Sequence, residues 1–288
     1  MASSKRWIAR TLVPGLVVIL AGCQSTPSAA TPGEVRAVIS ETMLASAVKE
    51  QDASALQQLE QSSAATSDAI KAIDIARDVA LNNLNNAGCN GFKATRAILQ
   101  EGGKVHLQRD FSQGPLASTN NPLDLGIQGE GFFMIQVLLP DGTRGVGYTR
   151  CGSFFVNASD NLVLVTGDGY QLSSPVTFFQ GARHIEIAQD GTTSAVRPGS
   201  ASKAKVAQLQ LAVFSNPGGL KDLGDGIFIE TDKSGKARET SPGQNGAGVF
   251  LSGYLESSNV DIARETVRLH LLNQWRAALL QAVGVNLR

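Results

Sequence analysis

Apolar residues recur at helical spacing near both ends of the chain, and in short runs between them. A proline-free stretch rich in Ala, Leu, Glu and Gln predicts a first helix over residues 35–59. The spacing of apolar residues then predicts a second helix over residues 67–84. The second helix has a narrow apolar stripe, which is more typical of a coiled-coil seam than of a helix sunk in a globular core. The stripe comprises Ile70, Ile73, Ala76, Ala80 and Leu84.

A third helix is predicted over residues 260–283, with Gly284 as its stop. Ser258 followed three positions later by Asp261 predicts a capping box at its start, and Glu265 adds negative charge to the first turns. The apolar side of this helix comprises Ile262, Leu269, Leu272, Trp275, Leu279 and Val283.

Between the helices, residues 105–248 hold short apolar or alternating runs separated by Gly with Asp or Asn. That pattern predicts a body of short strands joined by tight turns. The predicted fold class is therefore α+β, with an all-β body. The helices at its two ends have no partner in their own neighbourhood, so we expect them to pair with each other as a coiled coil or to pack on further copies.

The first residues are typical of a targeting segment. A basic start precedes the apolar run "TLVPGLVVILAG", which is too short to span a membrane comfortably and is typical of a signal peptide. The run ends "LAGC", which resembles a bacterial lipobox and predicts a lipid on Cys23; a plain secretory signal with a chance cysteine is the alternative. The next residue, Gln24, favours the outer over the inner membrane.

These patterns divide the chain into five parts. They are a lipoprotein signal peptide over residues 1–23, a flexible tether over 24–33, N-terminal helices over 34–86, a β-rich core body over 87–255 and a C-terminal helix over 256–288.

Composition argues against several functions. The chain of 288 residues has 17% charged residues and a formal net charge of +0, so no field favours nucleic acid or an acidic substrate. Its three histidines lie in three different predicted regions without metal-ligand spacing, and the Gly-rich "GIQGEG" precedes a strand rather than a phosphate-binding helix. We therefore expect no enzyme activity, catalytic residue, metal, cofactor or small-molecule substrate.

Two cysteines remain beyond the targeting segment. Cys89 and Cys151 could form a disulfide outside the cytoplasmic membrane, or could serve as two small buried hydrophobic residues. Both alternatives stay open at the level of sequence.

Several segments, taken in order, resemble the bacterial flagellar basal-body rod and hook protein family. They are "DVALNNLNNAGCNGFKATRA", "FSQGPLASTNNPLDLGIQGEGFFMI", "YTRCGSFFVN", "LQLAVFSNPGGLKDLGDGIFIET" and "GQNGAGVFLSGYLESSNVDIARE". The distal rod branch of the family resembles the chain most. The residues that match the family motifs are Asn82, Asn83, Leu84, Asn86, Gly91, Phe92, Lys93, Gly131, Phe132, Phe133, Gly253, Tyr254, Glu256, Ser258, Asn259 and Val260.

The resemblance implies a structural subunit of the flagellar rod, located in the basal body and periplasm and contributing to motility. It implies that the terminal helices pair as a coiled coil, and that copies stack with one another and with other flagellar axial proteins into an open helical tube. Lipid on Cys23 would add an outer-membrane anchor. The alternative is a lipid-anchored relative that associates with the basal body or outer membrane without polymerising.

Overall fold

The computed structural model describes residues 63–100, 104–166 and 169–282. Within them, short strands lie between two helices, α1 (Ser63–Asn85) and α2 (Ile262–Ala282). The strands are β1 (Thr95–Leu99), β2 (Val105–Arg109), β3 (Leu116–Ser118), β4 (Leu125–Gln128), β5 (Phe133–Leu138), β6 (Arg144–Thr149), β7 (Phe154–Val156), β8 (Leu162–Leu164), β9 (Arg183–Ile187), β10 (Thr192–Val196), β11 (Lys203–Gln208), β12 (Leu211–Val213), β13 (Lys221–Gly224), β14 (Ile227–Ile229), β15 (Arg238–Thr240), β16 (Val249–Ser252) and β17 (Tyr254–Glu256).

Part of the sequence interpretation lies outside these residues. It includes the signal peptide with Cys23, the tether, the helix predicted over residues 35–59, and the predicted end of the last helix at Val283 and Gly284. Neither helix of the described ranges is long and apolar enough to cross a membrane.

The body consists of small antiparallel sheets. The largest has the order β13-β14-β6-β5, and a three-stranded sheet has the order β11-β10-β9. The remaining strands pair two by two. β1–β2 and β7–β8 are hairpins between consecutive strands, whereas β12 pairs with β15, β4 with β16 and β3 with β17 across longer stretches of the sequence.

The last two strands return the chain to the start of the body. β16 pairs with β4, and β17 pairs with β3. Between them, Gly253 has a φ of 79°, a left-handed conformation that favours glycine and lets the chain pass from one pairing to the next. The segment before α2 is thereby held against the segment that follows the β1–β2 hairpin.

Two adjacent family-motif phenylalanines belong to different cores. Phe133 packs edge-on against Phe154 and stacks on Phe250 in the main core of the body. Phe132 packs among Phe111, Phe214 and Phe228 in a separate aromatic cluster. Neighbouring strand residues point to opposite faces, so this pair joins the two cores.

α1 and α2 pack against each other in antiparallel directions, joined by polar contacts at their edge. Arg77 Nε donates to Asn273 Oδ1 at 2.6 Å, and Arg276 Nε donates to Asp74 Oδ1 at 2.7 Å. The residue with the lower number on α1 contacts the residue with the higher number on α2, so the two helices run antiparallel.

The buried face of α1 is wider than the narrow stripe that the sequence predicted. Ile73, Ala76 and Ala80 are buried, but Ile70 and Leu84 are only partly so. The β1–β2 hairpin causes the difference, because Ala97 and Val105 pack into the same cluster as the two helices. The additional buried positions on α1 are Thr66, Ala69, Ala72, Val79 and Asn83.

Candidate functional site

The N-terminal, central and C-terminal family segments meet where the helix pair joins the body. At the centre of this junction, Lys93 Nζ lies 2.5 Å from Glu256 Oε1, and each side chain is only 1% exposed. Lys93 Nζ also donates to the carbonyl oxygen of Ser112 at 2.7 Å. Burial lowers the pKa of Lys93, and the neighbouring Glu256 carboxylate opposes that effect by stabilising the charged form.

Arg150, from the central segment, completes the coordination of this carboxylate. Its Nε donates to Glu256 Oε2 at 2.7 Å, and its terminal nitrogens donate to the carbonyl oxygens of Ile127, Gly129 and Gly131. The backbone N–H of Gly114 donates to Glu256 Oε1 at 2.9 Å. Both oxygens of a buried carboxylate are therefore satisfied, which is the condition under which a buried ion pair is tolerated.

Asn83 and Asn259 act as side-chain substitutes for strand pairing. Asn83, on α1, donates to the Thr95 carbonyl at 2.8 Å and accepts from the Thr95 N–H at 2.9 Å. Asn259 accepts from the Ala94 N–H at 2.7 Å and donates to the carbonyls of Asp110 and Ser112. An amide carries both donor and acceptor, so each asparagine can pair with N–H and carbonyl groups of the backbone at once.

Two glycines allow the backbones to approach at this junction. Gly91 has a φ of 72°, and a Cβ there would collide with the backbone of Arg150 and Cys151. A Cβ on Gly114 would collide with the carbonyl oxygen of Ser257. The Gly91 N–H donates to the Glu256 carbonyl at 2.7 Å, so the close approach is also a hydrogen-bonded one.

The predicted assembly residues of α2 lie partly in the helix interface. Leu272 and Leu279 are each 4% exposed and cluster with Ile73 and Ala76 of α1, while Trp275 packs partly buried against the same cluster. Leu269 is partly buried. Leu272, Leu279 and Trp275 give the helix pair its apolar seam. The role of all four residues in assembly stays a prediction.

The predicted start of α2 is corrected in two respects. Asp261, not Ser258, caps the helix, since Asp261 Oδ1 accepts from the Arg264 N–H at 3.0 Å and the helix begins at Ile262. Ser258 Oγ instead accepts from the Val260 N–H at 3.2 Å, before the helix. Ile262 is 59% exposed and is therefore not part of the buried side of the helix.

The remaining motif residues surround the junction. Asn86 closes the end of α1 by donating from its amide to the Asn82 carbonyl at 2.8 Å, and the Asn82 side chain is exposed. Tyr254 is exposed, whereas Gly131 is buried beside the side chain of Leu211.

Arg109 is a junction residue that the sequence analysis did not single out. Its NH1 donates to the Lys93 carbonyl at 2.7 Å, it forms an ion pair with Asp222, and its guanidinium lies over the rings of Phe92 and Phe228. It thereby joins the β1–β2 hairpin to β13 and β14. Arg150 was likewise not singled out, although it lies in the resembling segment "YTRCGSFFVN". A lone arginine beside a strand gives no signal of the distant carboxylate that it binds.

The cysteines lie close to this junction but their pairing stays a prediction. Cys89 and Cys151 are both buried, and Cys89 Sγ lies 3.6 Å from Asn86 Oδ1.

The three histidines fall on β2, β9 and α2. Among residues 63–100, 104–166 and 169–282, no group of three or more His, Cys, Asp or Glu side chains could hold a metal ion.

Comparisons with known proteins agree with this architecture. The family model described as the flagellar hook protein FlgE/F/G D1 domain matches residues 126–195, which run from β4 to β10. The flagellar basal-body rod protein FlgG of Buchnera aphidicola subsp. Acyrthosiphon pisum is 35% identical over 228 residues, covering 69% of this chain and 85% of the relative. FlgG of Caulobacter vibrioides is 36% identical over 221 residues, covering 67% and 82%.

A second rod protein is also similar. The flagellar basal-body rod protein FlgF of Salmonella typhimurium is 31% identical over 201 residues, covering 63% of this chain and 76% of the relative. The similarity thus extends across most of each relative, well beyond the matched D1 region. The chain belongs to the flagellar basal-body rod protein family.

Proposed function

We propose that this protein is a structural subunit of the flagellar basal-body rod, in the distal rod branch of the family, and acts in the periplasmic part of the basal body. The junction is the observation that carries the proposal. It brings the N- and C-terminal family segments together and holds the helix pair in one orientation relative to the body. A subunit that repeats along a rod needs such a fixed orientation, because a small angular error accumulates from copy to copy.

The family resemblance implies a different role for each of the two parts. The helix pair, which we propose to be a coiled coil, forms the packing layer between copies and toward other axial proteins of the flagellum. The apolar seam around Leu272 and Leu279 supports the pairing. The body of short strands forms the outer layer. No catalytic step is part of this function.

We further propose that Cys23 carries a lipid that anchors the protein to the outer membrane. The "LAGC" sequence supports this step. The same feature favours a second candidate function, in which the lipid-anchored protein associates with the basal body or outer membrane without polymerising.

Deletion and complementation separate these functions. Cells that lack the gene should not swim, and purified basal bodies from complemented cells should contain the protein by immunoblot. Leu272→Lys, which places a charge in the helix interface, should fail to restore swimming; Ala278→Lys, at an exposed position of the same helix, is the matched control that should restore it. Normal swimming of the deletion strain would contradict the rod function.

The lipid anchor needs its own experiment. Labelled palmitate should enter the wild-type protein and not Cys23→Ala, and the label should follow the outer-membrane fraction. If the deletion strain still builds flagella while the label is present, the non-polymerising function is correct. Absence of label from the wild-type protein would contradict the anchor and leave the rod function intact.

A further inference from the structure

Two buried glutamates lie nine positions apart at the junction, and their surroundings differ. Glu256 is 1% exposed, and both of its carboxylate oxygens accept hydrogen bonds from cations or a backbone N–H. Glu265, in the first turns of α2, is 8% exposed. Its Oε2 is a buried side-chain oxygen without a hydrogen-bond partner among the described residues.

The groups around Glu265 compensate its charge only partly. On α1, the Asn83 amide lowers the pKa of the carboxyl, and on α2 itself Arg268 and Arg264 lower it by charge attraction. Asp261, at the cap, opposes them by charge repulsion, and burial has the largest effect, so the pKa of Glu265 is raised. From β1, the group that contacts this site is a backbone carbonyl rather than a charge. Arg268 donates a hydrogen bond of 2.7 Å to the carbonyl oxygen of Ala97.

Glu265 therefore lies at the contact of three elements. α2 carries it, and the fully buried Asn83 of α1 lies close enough to lower the pKa of its carboxyl. β1 accepts hydrogen bonds from Asn83 at Thr95 and from Arg268 at Ala97. A charge without full compensation at this point weakens all three contacts at once, because an ionised oxygen without a partner costs free energy in a buried site.

We propose that Glu265 makes the joint between α2, α1 and β1 responsive to protons, so that the joint is tighter when the carboxyl is protonated and opens more often when it is ionised. The direction follows from linkage. Protonation stabilises the joint fully below the ordinary pKa of the group, and that stabilisation is lost as the pH rises through the raised pKa of the folded state. The proposal concerns the single subunit and does not depend on the rod function.

Amide hydrogen exchange of the full chain tests it. Protection of the first two turns of α2 and of Thr95, corrected for the intrinsic exchange rate at each pH, should rise several-fold as the pH falls from neutral to the ordinary pKa range of a glutamate carboxyl. Glu265→Gln keeps the shape without the charge, and its protection should be high and independent of pH. Asp78→Asn, an exposed carboxylate on α1, should follow the wild type.

Three results would overturn the proposal. Parallel pH profiles for the wild type and Glu265→Gln would show that another group titrates. Lower protection of Glu265→Gln at neutral pH would show that the joint needs the charge. Loss of the pH dependence in Asp78→Asn as well would assign it to the net charge of the helix pair.

Discussion

Lys93 and Glu256 lie 163 positions apart in the sequence, and their charged atoms meet at 2.5 Å inside the junction of helices and body. The pair joins the segment after the first helix to the segment before the last one. Arg150 adds a third segment to the same carboxylate. One glutamate thus connects three of the family segments, which lie far apart in the sequence.

Removing the charge of Glu256 should destabilise the protein strongly. Glu256→Gln leaves Lys93 and Arg150 buried without their counter-charge, and such losses cost about 3–5 kcal/mol of unfolding free energy. Denaturant unfolding measures the change. The control is Glu186→Gln, which removes an ion pair with the half-exposed Lys203 and should cost less than about 1 kcal/mol. Equal effects of the two variants would contradict the central role of Glu256.

A methyl group on Gly114 should disrupt the same junction by sterics alone. Gly114→Ala places a Cβ against the Ser257 carbonyl oxygen, and overpacking of this kind costs about 1–3 kcal/mol or more. Gly88→Ala is the control, because a Cβ there meets no atom within 4 Å. Thermal unfolding of both variants compares them directly, and a normal melting temperature for Gly114→Ala would show that the two segments are not in contact.

Adjacent asparagines of the family motif should respond differently to alanine. Asn83→Ala leaves both the N–H and the carbonyl of Thr95 without their partner and should cost about 1–3 kcal/mol. Asn82→Ala changes an exposed side chain and should be neutral or slightly stabilising, because alanine favours helix. Urea unfolding measures the change in the free energy of unfolding for each of the two variants. A reversed order would mean that α1 presents its other face to the hairpin.

The capping residue of α2 can be identified by substitution. Asp261→Ala should lower stability by about 0.5–2 kcal/mol, whereas Asp261→Asn should keep most of it because asparagine also caps well. Circular dichroism during urea unfolding reports both. If Asp261→Ala behaves like the wild type while Ser258→Ala loses helix, the capping box predicted from the sequence would be correct after all.

Periodicity determined the elements of this protein. The three-to-four spacing of Ile73, Ala76 and Ala80 predicts α1, and Gly- and Asp-containing turns predict the strands, because these signals act over neighbouring residues. The end of α1 and the start of α2 were located within two residues, yet the cap was assigned to Ser258 instead of Asp261. Both residues are good caps, and only the backbone at Ile262 decides between them.

Only the tertiary structure decided which residues of different elements contact one another. No local pattern in the sequence pairs Lys93 with Glu256, places Arg150 beside them, or leaves one oxygen of Glu265 without a partner. The wider buried face of α1 also depends on a hairpin that packs from outside the helix. Sequence patterns report which face of an element is apolar, whereas ion pairs and close backbone approaches depend on where distant segments meet. Within this chain, the contacts that join the helices to the body were therefore visible only in the folded protein.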